Sequence, residues 1–406
     1  MSGLESIRLE PADLDAQAEA ALRALREHDA VVPVDLPEGL RVWVITRHEE
    51  GRKALTDPRF VKDMRKLQDP GHGFAGQRYA EDVLAVEGRH VLNSDGAEHA
   101  RLRSAVAPYF TAQASAGHEA EVRQIAATLS ENVASQDRVD LMSTYAQPLP
   151  ELVIGRIIGV PDDTMQVIGR LSRQLSSRDN PATAPMRRAY SDLVDLVRDL
   201  TAHPATDPRT VINGLQKAVA RGDLSRREAA STLMVLFAAG ISTTATGLGH
   251  AAATLMCTHA VLRPLLGSAE GAASLIDETL RLHPPIQFAS WRFAPHDVPV
   301  GPTTIPAGSL VLILLASANR DPAAFPAADE LIPDRPAKPA HLTFGRGPHY
   351  CIGVHLARLE IKIGLQTLFE RLPDLQLINP HKQTTWRGLL LDRTINSLPV
   401  ITQTSP

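Results

Sequence analysis

A single cysteine in a glycine-rich loop is the most reactive feature of the sequence. Residues 341–353 read HLTFGRGPHYCIG, with Gly345, Gly347 and Gly353 set around Cys351, and a run with helical spacing, 354–371, follows directly. Amides at the start of a helix favour a thiolate over a thiol and can donate to its sulfur. The glycines permit positive φ and let a bulky group approach the backbone. An isolated cysteine is more often an inert small hydrophobe. Three glycines in this arrangement point instead to chemistry, and leave a nucleophile and a metal ligand both open. No CxxC or HxxxH pattern lies nearby, so a four-ligand zinc site has no support. A metal held here must bring its remaining donors with it, as haem does.

A second unusual segment is 238–244, AAGISTT, which sets a glycine and three hydroxyl side chains inside an apolar stretch. That stretch begins at a capping box, Ser225-Arg226-Arg227-Glu228, and keeps helical spacing to Thr258. About 33 residues at 1.5 Å each predict one continuous helix of roughly 50 Å, running through the interior. Glycine costs about 1 kcal/mol relative to alanine there, and serine or threonine can bond back to carbonyls and bend the axis. The segment therefore reads either as a notch where another helix crosses or as a groove facing a ligand.

The remaining elements must position these two segments. Residues 16–27 have helical spacing, 40–46 (LRVWVIT) alternate as a strand, and 48–57 return to helix. Residues 62–95 are polar and glycine-containing, with no sustained period; such long connections are often functional. From about 98 to 336 the chain is mostly helical, with breaks at Pro161, Pro204, Pro208 and the Pro284-Pro285 pair.

Composition narrows the function further. The chain has 406 residues, 44% of them apolar and 22% charged, which excludes disorder and fibrous architecture. A net charge of -4, from 42 basic and 46 acidic side chains, argues against a nucleic-acid partner. Two cysteines build no disulfide framework, and Cys257, in an apolar helical context, reads as structural. The N-terminus is acidic where a signal peptide is apolar, and the apolar runs 233–241 and 310–316 are too short to span a bilayer. A cytoplasmic protein without a membrane partner is expected. Residues 71–76 (GHGFAG) formally satisfy GxGxxG, but PRFVKDMRKLQDP precedes them instead of an apolar strand, so no dinucleotide site is read there. No GxSxG for a hydrolase occurs.

Phe344, Gly345, Arg346, Gly347, His349, Cys351 and Gly353 match the haem-binding signature of the cytochrome P450 enzymes, FxxGxxxCxG, and the sequence resembles that family along nearly its whole length. The resemblance implies a mainly α, single-domain fold over 1–406, with a long central helix over the haem. It puts a small β-rich lobe mainly at 30–60 and 286–315, and a helical lobe mainly at 98–285 and 353–372. The implied cofactor is haem b, with Cys351 as metal ligand and Phe344 against the thiolate side of the ring. Glu278-Thr279-Leu280-Arg281 is similar to the family's ExxR element, which implies a buried structural pair; its i,i+3 spacing sets both charges on one helix face. His99 and Arg103 in DGAEHARLR, with Arg292 and His349, resemble the partners of the haem propionates, groups that need charge-assisted bonds when buried. Asn319-Arg320-Asp321-Pro322 and a shortened Asp334-Arg335-Pro336 echo further family elements.

Ala239 and Gly240 fall on the family's AGxxTT stretch against the cofactor, and Thr243 on its oxygen-activation threonine. The residue before that threonine is normally Asp or Glu; here it is Ser242. Serine supplies no titrating proton near neutral pH but orders water, so protons would pass through water or a substrate group. The family reading implies oxidation, by hydroxylation, of a small hydrophobic natural product with O2, and electrons from a separate ferredoxin and ferredoxin reductase docking near Arg346 and Arg358. The Ser242 departure resembles members acting on cyclodipeptides, some of which couple aromatic carbons; oxidative C–C or C–N coupling is thus the alternative, and a haem-thiolate sensor without turnover a third. Expected substrate contacts are residues 79–92, Val235, Ala239, Thr243, Ile286, Gln287, Phe288, Ala289, Ser290 and the segment around Leu390.

Overall fold

The computed structural model describes residues 7–8, 18–36, 40–67, 88–175, 184–205, 207–257, 259–335, 339–379, 386–387 and 394–402. The expected mainly helical architecture with a small β-rich region is what it shows. The principal helices are α1 (Ala18–His28), α2 (His48–Ala54), α3 (Gly96–Ser104), α4 (Glu119–Ala134), α5 (Pro148–Ile158), α6 (Asp162–Leu175), α7 (Ala184–Ala202), α8 (Val211–Ala220), α9 (Arg226–Gly240), α10 (Ser242–Cys257), α11 (Ala269–Leu282) and α12 (Val354–Arg371). Residues 71–76 and the segment around Leu390 lie outside the described residues, as does most of 79–92.

The capping box forms as expected. Ser225 Oγ accepts from the Glu228 N–H at 3.1 Å, and the Glu228 carboxylate accepts from the Ser225 N–H at 2.8 Å. The expected continuous helix does not form: the ladder is interrupted at Ile241, giving α9 and α10. Thr243 Oγ1 donates to the Ala239 carbonyl at 2.6 Å, competing for an acceptor that an unbroken helix gives to a backbone N–H. On another side, a Cβ on Gly240 would lie 3.3 Å from Ile154 of α5, so the small residue also admits a close helix crossing. The 226–257 stretch is apolar enough to resemble a membrane span, but 72% of its most apolar window is buried inside the protein. It is a core element. Cys257, expected to be structural, ends α10 exposed.

The β-rich region is a five-stranded sheet in the order β1 (Ile7–Arg8), β2 (Val31–Leu36), β3 (Leu40–Ile45), β8 (Ser309–Ile313), β5 (Arg292–Ala294); β4 (Arg138–Asp140), β6 (Val298–Val300) and β7 (Thr303–Ile305) lie outside it. β3 pairs parallel to β8 and antiparallel to β2, and β5 pairs antiparallel to β8. Alternate residues bury on both faces: Val32, Val34, Val42, Val44 and Leu312 on one, Val31, Ile45, Val311 and Ile313 on the other. A bridge between Val61 and Phe293 fastens the segment after α2 to β5, and a second joins Phe288 to Leu314. α12 packs against α4, α10 and α11 in the helical core.

Candidate active site

The cysteine loop is held by its own backbone. Gly345 N–H donates to Leu342 O at 2.8 Å, Tyr350 N–H to Gly347 O at 3.0 Å, and Cys351 N–H to Phe344 O at 2.9 Å. Gly345 (φ 69°) and Gly347 (φ 71°) occupy the left-handed region, where a side chain would be strained. The loop then enters α12 just after Gly353. Burial pushes the Cys351 thiol up, while the Gly353 N–H and the charges of Arg103 and Arg358 favour the thiolate. Arg103 also donates to Tyr350 O at 2.8 Å, tying α3 to the loop. Arg358 pairs with Asp277 at 2.8 Å and lies over the Phe344 ring, whereas Arg346 is exposed.

A buried ionic cluster supports that loop from α11. Arg281 pairs with Glu278 at 2.8 and 2.9 Å, both being essentially inaccessible. Glu278 takes a second cation, Arg335, at 3.0 Å, and the Ile332 N–H at 3.1 Å. Arg281 spends its other N–H groups on the carbonyls of Asn319, Ala328 and Glu330. Asn319 in turn bonds Thr343 Oγ1 (2.9 Å) and the Leu342 N–H (2.7 Å), and Thr343 bonds Leu280 O (2.8 Å). The cluster and the loop are thus one hydrogen-bonded unit. Asp334-Arg335-Pro336 echoes a family element in the sequence, but only the fold shows Arg335 reaching Glu278.

A second set of bases is gathered between α3, β5 and the loop. The rings of His99 and His349 approach with centroids 4.2 Å apart. Among the described residues, His99 Nε2 and His349 Nδ1 have no hydrogen-bond partner although buried. Burial, then surrounding cations, pushes both imidazoles toward the neutral form, His349 to about 2. Arg292 is fully enclosed, donates to Ser290 O at 3.1 Å, and is lowered to about 10 by desolvation. Lys62, which no sequence signal flagged, is also buried here, its Nζ 2.5 Å from Ser290 Oγ. Two unpaired imidazole nitrogens beside the buried cations Arg292 and Lys62 suit an anionic oxygen.

On the central helices, Val235, at 3% exposure, is enclosed in the core, yet Ala238 and Ala239 are exposed and Gly240, Ser242 and Thr243 half-exposed before burial resumes at Thr244. Between Ala229 and Ala252 the helix pair is open only around its interruption. Of the other expected substrate contacts, Ile286 and Ser290 are half-buried, whereas Gln287, Phe288 and Ala289 are buried, the last two in the cores of the β-rich region.

The comparisons give this arrangement a family. The family model described as Cytochrome P450 matches residues 272–390. Cytochrome P450 107B1 of Saccharopolyspora erythraea is 32% identical over 365 residues, 89% of each chain. The chain belongs to the cytochrome P450 family. The 6-deoxyerythronolide B hydroxylase of the same organism is 32% identical, over 93% of this chain and 94% of its own. Among solved structures, the tirandamycin C-bound P450 monooxygenase TamI superposes with a TM-score of 0.88 at 32% identity, covering 98% of this chain and 100% of the other. The protein is therefore a P450 oxidoreductase, carrying haem b through a cysteine thiolate and using O2 and redox partners. The residues present fit that group: a cysteine at a helix start, and two buried imidazole nitrogens left unpaired, as suits a ligand that carries carboxylates.

Proposed function

We propose that Cys351 is the thiolate ligand, that His99, Arg103, Arg292 and His349 hold the propionates, and that the enzyme hydroxylates a small, largely apolar natural product. The observation that carries the first two assignments is the pair of unspent buried imidazole nitrogens on rings 4.2 Å apart. Bound haem supplies the oxidising chemistry, favoured by electron donation from the thiolate. The chain's own residues orient, exclude and deliver. Phe344, between Arg358 and His341, shields the sulfur side of the loop. Ala238 and Ala239 expose only methyl groups at the interruption of the central helices, which suits an apolar substrate with few polar handles. The hydroxylase and monooxygenase relatives act in the same sense.

Thr243 holds its own proton on Ala239 O at 2.6 Å, which leaves its oxygen lone pairs free to accept from water. Ser242 beside it carries no titrating proton, so the protons arrive through ordered water or a substrate group. Electrons come from a ferredoxin and its reductase in the cytoplasm. Arg346 is the better docking contact, because Arg358 is already paired with Asp277.

Two measurements test this reading. The reduced, carbon-monoxide-treated protein should absorb at about 450 nm, as thiolate-ligated haem does in this family, and Cys351→Ser should abolish that band. A screen for the low-to-high-spin shift of the ferric protein should then select apolar ligands whose products gain one oxygen. Products lacking two hydrogens instead would replace hydroxylation with oxidative coupling, and no substrate-dependent consumption of reductant with a redox pair would remove both.

A further inference from the structure

Neighbouring acids on α11 take different partners. Glu278 binds Arg281 and Arg335 in the interior. Asp277 instead accepts from Arg358 of α12 at both oxygens, from Nε to Oδ1 at 2.8 Å and from Nη2 to Oδ2 at 3.1 Å. A two-point pair of this kind fixes the plane of the guanidinium as well as its place. The guanidinium carbon lies 4.9 Å from the centroid of the Phe344 ring. The His341 ring approaches the same phenyl group with centroids 5.8 Å apart, and its Nε2 stands 3.8 Å from Asp277 Oδ1. Through its carbonyl, Phe344 accepts from the Cys351 N–H at 2.9 Å. A chain of contacts thus runs from Asp277 through Arg358 and Phe344 to the cysteine.

The Asp277–Arg358 pair is not what holds the loop. Backbone bonds within 342–351 and the contacts of Asn319 with Leu342 and Thr343 do that. The two side chains keep 34% and 32% of their surface in water, so their pairing adds little to stability. Their charges nevertheless stand beside the cysteine: Arg358 is one of two cations that favour charge on its sulfur, Arg103 being the other. Reduction adds a negative charge to a haem–thiolate centre, which a nearby cation favours and a nearby anion opposes. We propose that Arg358 and Asp277 are an opposed pair tuning the ferric–ferrous potential, the guanidinium raising it and the carboxylate that anchors the guanidinium offsetting part of the rise. The inference rests on the haem assignment, which has its own test: loss of the carbon-monoxide band removes the assignment, whereas failure of the pair leaves that band in place.

The experiment compares wild type, Asp277→Asn, Arg358→Met, the double variant and Arg358→Lys as holoenzymes. The ferric–ferrous potential is measured by spectroelectrochemistry without a redox partner, so docking does not enter, and apoprotein stability by denaturant unfolding. Asp277→Asn keeps an oxygen for Arg358 but loses the negative charge, so the potential should rise. Arg358→Met leaves the carboxylate without its cation, so the potential should fall. Water screens a partly exposed pair, and each change should be about threefold to tenfold in the ferric–ferrous ratio, tenfold being about 59 mV for one electron. The double variant should lie between the two single ones, and Arg358→Lys should return toward wild type. Unfolding midpoints of the apoproteins should stay level throughout. Potentials that do not move in opposite directions in Asp277→Asn and Arg358→Met overturn the proposal, whether they stay unchanged or shift together. So does loss of the fold in either single variant, which would make the pair structural.

Discussion

Two clusters of buried charge lie on either side of the cysteine loop, and they are built on opposite principles. In the first, Glu278, Arg281 and Arg335 satisfy one another, and the remaining guanidinium N–H groups end on main-chain carbonyls. In the second, His99 and His349 keep a buried nitrogen each without a partner among the described residues, beside the buried cations Arg292 and Lys62. Burying a charge is costly unless it is paired. The first cluster meets that cost within the chain and so belongs to the fold. In the second, Asp95 acts favourably on Arg292 and His99 from within the chain, yet two imidazole nitrogens stay unpaired, as suits a ligand site. Unspent polarity, more than charge as such, marks the functional site.

The sharpest way to break this contrast is to remove the shared acid of the first cluster. Glu278→Gln leaves two buried guanidiniums facing a neutral amide, and should destabilise the protein by about 3–5 kcal/mol, in apoprotein and holoenzyme alike. Denaturant unfolding of both forms checks it. A loss below about 1 kcal/mol would mean that the pair is no more than a surface-type interaction. The matching change in the second cluster is Arg292→Met. It should cost the apoprotein less than about 1 kcal/mol, while haem transfer to apomyoglobin accelerates by roughly tenfold to a hundredfold, the worth of a charge-assisted bond. If the apoprotein instead unfolds as readily as Glu278→Gln, the two clusters do not differ in kind.

The sequence disclosed the first residues of each cluster and concealed the last. Glu278 and Arg281 share a helix, so their i,i+3 spacing is visible; Arg335 joins them from 54 positions beyond Arg281 through the fold, and no local period reports that. His99, Arg103, Arg292 and His349 could be named because each falls on a recognisable family element. Lys62 lies in PRFVKDMRK, which reads as a polar surface connection; only the Val61–Phe293 bridge reveals that it turns inward. The interruption at Ile241 was hidden for a different reason. Each residue of AAGISTT is individually tolerable in a helix, and the break arises where the Thr243 hydroxyl competes for the Ala239 carbonyl. The capping box is the opposite case, since all its partners lie within four residues.

Glu360 sharpens the comparison, because it is a buried acid that follows neither pattern. It lies on α12 at 2% exposure, its Oε2 has no hydrogen-bond partner among the described residues, and burial alone pushes its carboxyl well above the ordinary range. Such a group avoids the cost of charge by keeping its proton in the folded state. The sign follows directly. A carboxyl whose folded value is raised contributes nothing unfavourable below about pH 4.5, where it is neutral in both states. Above that, the unfolded chain releases the proton and the folded one does not, so stability falls by up to roughly 1.4 kcal/mol per pH unit. Glu360→Gln removes that slope. The variant and wild type should be nearly equal in stability near pH 4.5, and the variant should gain steadily through pH 6 and 7. Paired denaturant titrations at those three values measure the difference. A gain that does not grow with pH would mean that Glu360 is ionised and paired in the folded protein, like Glu278, and would place it with the fold's own charges.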